Sequence, residues 1–253
     1  MKGLTFILSY YNQQDVLKKH ISFWKKYSQE HKEKTSFLIV DDCSKKSALD
    51  VFKNEQDIDD LDIHLYRVKE DLFCNIAGVR NLGFQEMQTK WGLLLDMDTL
   101  VDNEMMKSLF SLMKMDQQHT AYKFNRKVPN NPNHRKQGQF HPAITLIRKE
   151  DYWLVGGCEE DLVGHYGDTD PSFWWRARGK IRVEFCKDIY LTYDPDGECD
   201  MIRDTRHNQQ LSAKKKRNNS WSTDFIRFPW EKLEFPQTPS HITMPTITHD
   251  PCA

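Results

Sequence analysis

Short apolar runs alternate with amphipathic stretches through the first hundred residues. Leu4–Ser9 and Thr35–Val40 are almost continuously hydrophobic, as expected of parallel strands buried on both faces. Between them Leu17, Ile21 and Trp24 recur at helical spacing, with Val16, Phe23 and Tyr27 beside them. Asn12 is placed to cap that helix, and Asp15 suits its N-terminal dipole. The pattern then predicts a short helix around Ala48–Phe52, a strand at Ile63–Val68, a helix over Ile76–Met87 and a buried strand at Trp91–Leu95. Strand and helix in strict alternation predict an α/β fold, a mainly parallel sheet with crossover helices.

After residue 100 the order loosens. Asn103–Met115 has helical periodicity, and Tyr122–Phe124 and Ala143–Ile147 read as strands around a polar stretch, Arg126–Gln139, expected to be a mobile loop. Lys149–Val155 is a short helix stopped by Gly156-Gly157. Pro171–Arg178 is another, closed by Gly179, and 181–186 is a strand. From 195 onward the chain is polar, with a basic run Lys214–Arg217 and a proline-rich tail from 229 that shows little periodicity.

Composition narrows the function. Lys plus Arg is 36 and Asp plus Glu is 37, for a formal charge of −1, so no global field would hold nucleic acid. No apolar run approaches the roughly 20 residues of a membrane span. The basic run is a weak candidate for peripheral contact with anionic lipid. Six scattered cysteines, none at CxxC spacing, fit reduced thiols, and no secretory signal is read, so the expected location is cytoplasmic.

Asp96-Met97-Asp98 follows directly on the strand Trp91–Leu95. The carboxyl end of a parallel strand is where open α/β sheets bind ligands, and two carboxylates there suit a hard divalent cation facing phosphate oxygens. The alternative is a solvated Asp pair. Asp41-Asp42-Cys43-Ser44 likewise follows a buried strand, with a helix cap after the strand as its bland reading.

These segments are joined by Ser9-Tyr10-Tyr11-Asn12, Val79-Arg80-Asn81-Leu82-Gly83 and Gly156-Gly157-Cys158-Glu159-Glu160. In order and spacing the set resembles the GT-A fold nucleotide-sugar glycosyltransferases, above all family 2, over about residues 4–185. The resemblance implies a GT-A domain over 1–194, with a nucleotide-binding half to residue 100 and an acceptor half after it. Residues 195–253 would be a partly helical extension. It implies that Ser9, Tyr10, Tyr11, Asp41 and Asp42 line a nucleoside pocket, that Arg80 meets ribose or diphosphate, that Asp98 ligates Mn²⁺ or Mg²⁺ directly, and that Asp96 reaches ribose, metal-bound water or the metal.

The late acidic motif departs from the family. Gly164-His165-Tyr166-Gly167-Asp168-Thr169-Asp170 is one residue short, Gly167 falls where a Glu is usual, and Trp174 stands where an Arg is common. Asp168 then takes the place of the catalytic base, with Asp170 as its rival and the better placed helix cap. Glu159 and Glu160 would border the acceptor or form a solvated acidic turn, and Trp174 is a weak acceptor candidate. Asp200-Met201-Ile202-Arg203-Asp204-Thr205-Arg206-His207 is similar to a metal-binding segment of the β-1,4-galactosyltransferases, which makes Asp204 or His207 the implied third ligand. His141 and His165 would flank the acceptor cleft. The implied activity is metal-dependent transfer, inverting, from a UDP-sugar to a hydroxyl of a glycan or glycoconjugate. The alternatives are a retaining transferase and a non-catalytic sugar-binding or scaffold module of a polysaccharide-assembly complex.

Overall fold

A computed structural model describes residues 2–129, 131–198 and 202–234. Four parallel strands, β1 (Leu4–Tyr10), β2 (Thr35–Asp41), β3 (Asp62–Val68) and β4 (Trp91–Leu95), form the centre of a nine-stranded sheet. The whole order is β5-β8-β6-β7-β4-β1-β2-β3-β9. β7 (Thr145–Arg148) runs antiparallel to both β4 and β6 (Thr120–Lys127). β6 therefore points the same way as β4, and their carboxyl ends share one edge. β8 (Arg182–Tyr193) is parallel to β6, β5 (Thr99–Leu100) pairs with β8, and β9 (Trp230–Leu233) closes the far edge against β3.

The two faces of each central strand feed two separate cores. Leu4, Phe6, Leu8 and Tyr10 point to one, Ile7 to the other, which is the two-residue period of a strand covered on both sides. On the first face lie α1 (Gln14–Lys25), α3 (Ala48–Asn54) and α5 (Asn103–Met115), with Trp24 stacked on Phe37 at 4.4 Å. The second face carries α4 (Ile76–Glu86), α6 (Lys149–Val155) and α7 (Thr169–Ala177). α4 approaches closely because it bears Gly83, where a Cβ would sit 2.3 Å from Ile7 Cγ2. Each buried Leu, Ile or Phe contributes about 1.5–3 kcal/mol, so these layers fix the sheet that carries the site.

Several local expectations are corrected. Asn12 does not cap α1. It sits at φ 54°, and its side chain accepts the Lys46 N–H, tying the β1 turn to the β2 turn. α2 (Gln29–Lys34) and β5 were not anticipated, and β8 runs seven residues past its expected end at 186, through a bulge opposite Phe124/Asn125. The polar stretch after β6 folds back on it: Arg126 and Gln139 pair through N–H to carbonyl, and Gly138 N–H returns to the Arg126 carbonyl. α8 (Arg206–Asn218) carries the basic run, and the chain then crosses the second face to reach β9. Among the described residues, Cys43, Cys74, Cys158 and Cys186 form no disulfide with one another. Cys199, Asp200, Met201, Cys252 and the tail from 235 lie outside the described residues. No described helix is long and apolar enough to cross a membrane.

Candidate functional site

A cavity of about 620 Å³ opens at the carboxyl edge of β1, β4 and β6. One wall is made by Ser9, Tyr10, Tyr11 and Asp42 with the start of α4, the middle by Asp96 and Asp98, and the far wall by Arg126, Lys136, His141 and 166–170. The site thus lies where the parallel strands end and the chain crosses between layers.

In the first wall, Asp42 and Asp41 behave differently. Asp42 accepts the Asn75 N–H at 3.1 Å through one oxygen, while its other oxygen is buried without a hydrogen-bond partner among the described residues. Burial pushes this carboxyl up to about 6, against the pull of the Asn75 bond. Asp41 is not in the cavity. It is fully buried and caps the turn into α3, accepting from Ser44 N–H, Ser47 hydroxyl, Ala48 N–H and Arg67. Ser9 Oγ is buried and unpartnered among the described residues. The Tyr10 hydroxyl donates to the Lys46 carbonyl, so this ring offers the cavity its apolar body.

The centre is an acidic group. One ligand atom each from Asp96, Asp98 and His141 fall within 4.8 Å of one another. Burial opposes ionisation of Asp98, but hydrogen bonds from His141 and Thr99 overcome it and hold the carboxyl below its ordinary range. His141 Nδ1 accepts the N–H groups of Ala143 and Ile144, both at 3.2 Å. A peptide N–H is only a donor, so the neutral ring carries its proton on Nε2, which faces Asp98 at 3.3 Å. In this arrangement His141 orients Asp98, and the two carboxylates supply the open oxygens. The donor set still fits a hard cation such as Mn²⁺ or Mg²⁺.

Arg80 lines the cavity and is also tied into the protein. It is 2% exposed and bridges Asp96 at 2.9 Å and Asp170 at 2.7 Å, so β4, α4 and the first turn of α7 are tied together beside the carboxylate pair. This also corrects the reading of Asp170 as a cap. The N-cap position of α7 is Asp168, in left-handed conformation at φ 61° and making no side-chain cap bond, while Asp170 serves Arg80. Asp168 lines the cavity.

Five other candidates are not among the residues that line the cavity. His207 is at the start of α8, its ring stacked on His165 at 3.7 Å, and Asp204 pairs with Arg206 at 2.6 Å; neither joins the acidic group. Glu159 and Glu160 are neither solvated nor in the cavity. Both are buried and hold the C-terminal segment: Glu159 accepts from Ser222 N–H, and Glu160 accepts from Asn81 and from the N–H groups of Ile226 and Arg227. Trp174 lies beside the far wall, its Nε1 donating to the Pro142 carbonyl and its ring covered by the Lys123 ammonium at 4.4 Å. Arg126 and Lys136 were missed, because they sit in a stretch whose polarity reads as loop. Their signal was two cations flanking a polar turn that returns to a strand.

Comparison with known proteins bears on this arrangement. No curated protein matches the sequence. Among solved structures, S. aureus TarS 1–349 is 15% identical with a TM-score of 0.60, over 77% of this chain and 60% of that one. Its complex with UDP-GlcNAc gives 14% and 0.65, over 88% and 68%. The mannosyltransferase PcManGT from Pyrobaculum calidifontis, in complex with GDP-Man and Mn²⁺, gives 15% and 0.59, over 87% and 65%. The chain thus spans about three fifths of the first of these structures, and identities this low speak for the shared GT-A fold. The sequence profile of glycosyl transferase family 2 matches residues 5–164. That is well over half of the chain, which therefore belongs to glycosyl transferase family 2 and has the GT-A fold.

Proposed function

We propose that the protein moves a sugar from a nucleoside-diphosphate sugar, UDP-linked by preference, to a hydroxyl of a glycan or glycoconjugate, with a divalent metal and with inversion. The observation that carries this reading is the placement of Asp96 and Asp98 in one cavity between the unpaired oxygen of Asp42 and the carboxylate of Asp168. The UDP-GlcNAc and UDP complexes of TarS support the donor class, and the Mn²⁺ complex of PcManGT supports the metal.

Each residue has a task in that scheme. Asp42 accepts an imide N–H of the base, and the Tyr10–Tyr11 turn gives the base an apolar wall. Asp96 and Asp98 hold the cation, Asp98 oriented by His141 and Asp96 by Arg80. A cation bound there offsets the charge that develops on the departing diphosphate. Asp168, free of any duty as a helix cap, accepts the proton of the attacking hydroxyl. Residues 1–194 supply all of these groups; Gly197, Glu198, Ile202 and Arg203 add to the cavity wall, and the backbone N–H groups of Ser222, Ile226 and Arg227 hold Glu159 and Glu160. The test is release of nucleoside diphosphate from a panel of UDP- and GDP-sugars with and without Mn²⁺, with product anomer read by NMR. Turnover that is indifferent to the metal, or a retained anomer, would overturn the corresponding part of the reading.

A further inference from the structure

The four basic side chains of the cavity besides His141 are Arg80, Arg126, Lys136 and Arg203. Three are engaged with carboxylates. Arg80 is shared between Asp96 and Asp170, Lys136 ion-pairs with Glu198, and Arg203 meets Glu198 at 3.3 Å. Arg126 differs. It is 7% exposed, yet among the described residues no carboxylate lies in ion-pairing range of it, and its one side-chain hydrogen bond runs from Nε to the Gln139 carbonyl at 3.3 Å. The terminal nitrogens of its fork are left to the cavity. Asp98 and Glu198 act on this guanidinium only from beyond ion-pairing distance, and a fork of this shape matches a carboxylate or phosphate through two parallel bonds.

The backbone holds that fork in place beforehand. Arg126 N–H donates to the Gln139 carbonyl and its own carbonyl accepts from Gly138, whose φ of +68° makes the tight return. Strand order sets which part of a substrate it can meet. The nucleoside wall lies at β1 and β2, the carboxylate pair at the end of β4, and Arg126 at the end of β6, on the other side of β7 and β4 from β1. A donor lying from the nucleoside wall to the carboxylate pair brings its sugar, and then the acceptor, to Arg126.

We propose that Arg126 is a specificity residue that receives an oxyanion, carboxylate or phosphate, carried by the transferred sugar or by the acceptor. The inference rests on the donor orientation proposed above. It requires that one of the two substrates be anionic beyond the diphosphate.

The experiment uses the full chain with Mn²⁺ and compares the unaltered protein with Arg126→Gln and Arg126→Lys. Calorimetry with UDP alone comes first. Equal UDP binding in all three leaves the nucleotide site intact, whereas no UDP binding by the unaltered protein strikes the proposed donor class and not Arg126. The donor arm compares UDP-glucuronate with UDP-glucose. The acceptor arm compares glycerol 3-phosphate with glycerol as stimulants of UDP release. In one arm the anionic probe should be favoured about 10- to 100-fold, the preference should vanish in Arg126→Gln, and Arg126→Lys should keep part of it. The arm that responds identifies which substrate carries the anion. Equal treatment of anionic and neutral probes in both arms overturns the proposal. So does a loss of UDP affinity in Arg126→Gln as large as the loss for any anionic probe, since the fork would then serve the diphosphate. Lysine restores charge without the fork, and thermal melts of each variant separate misfolding from lost recognition.

Discussion

Asp98 and His141 make a pair whose roles are separable. Asp98→Asn removes a charged oxygen from the carboxylate pair, and Mn²⁺-dependent donor binding should disappear in calorimetry while the melting temperature holds. His141→Gln keeps an N–H donor for Asp98, and if orientation is the task of His141, Mn²⁺ affinity should fall by only a few-fold. A loss of a hundredfold would mean that the imidazole itself ligates. Asp168→Asn should lower turnover by about 10²–10⁴ with donor affinity nearly unchanged, the usual share of a general base. The same loss in Asp170→Asn, with Asp168→Asn active, would move the base to the carboxylate that here serves Arg80. Asp42 yields a pH prediction. Its carboxyl is raised to about 6 in the folded chain against about 4 when unfolded. Folding therefore favours its protonated form, and ionising it destabilises the fold progressively as pH rises from about 4 to about 6. Asp42→Asn should match the unaltered protein in urea unfolding near pH 4 and exceed it above pH 6.

At the scale of elements, the helix α4 is pressed between sheet and C-terminal segment. A Cβ on Gly78 would fall 2.4 Å from Phe228, and one on Gly83 would fall 2.3 Å from Ile7. Gly83→Ala should cost about 1–3 kcal/mol in urea unfolding, as overpacking does, because β1 cannot move without disturbing β2 and β4. The strands β1–β4 and the helices between them were legible in the sequence because each is a long apolar or 3.6-periodic run buried on a defined face. The same legibility gave Asp96, Asp98 and Asp42, which simply follow buried strands. What was not legible depends on chain returning from far away. Glu160 reads as part of a solvated turn until Ile226 and Arg227 arrive from 66 and 67 positions on to donate to it. His141 reads only as a flank of the acceptor cleft until the chain entering β7 lays it beside Asp98. β9 has too few residues and too mixed a burial to show a period, and only pairing with β3 defines it. Glu160→Ala should leave those N–H groups unpaired. The expected result is a loss of about 1–3 kcal/mol and faster proteolysis between 219 and 229.

Across the whole molecule, the sheet has unequal edges. β3 is covered by β9, with the Lys69 N–H also bonded to the Pro229 carbonyl and Trp230 packed on Tyr66. A chain ended at Asn218 would lose that cover and the Phe228 contact with α4, leaving β3 as an open edge able to pair with another copy. Sedimentation should then show self-association of the shortened chain, and charged substitutions on β3 facing solvent should suppress it. An unassociated, fully stable shortened chain would show that β9 is dispensable.

The pairing of β3 with β9 also imposes an order on biosynthesis. Val68 leaves the ribosome some 162 residues before Trp230, the residue opposite it in the register. At about 5–20 residues per second, translation leaves the β3 edge bare for roughly 8–32 s. The half of the sheet that forms first is thus the half completed last, and during that interval a nascent chain has the nucleoside wall assembled but its outer strand unguarded. Slower elongation across residues 70–230 lengthens the interval, so the yield of folded protein should track the speed of translation and the supply of chaperones that cover strand edges.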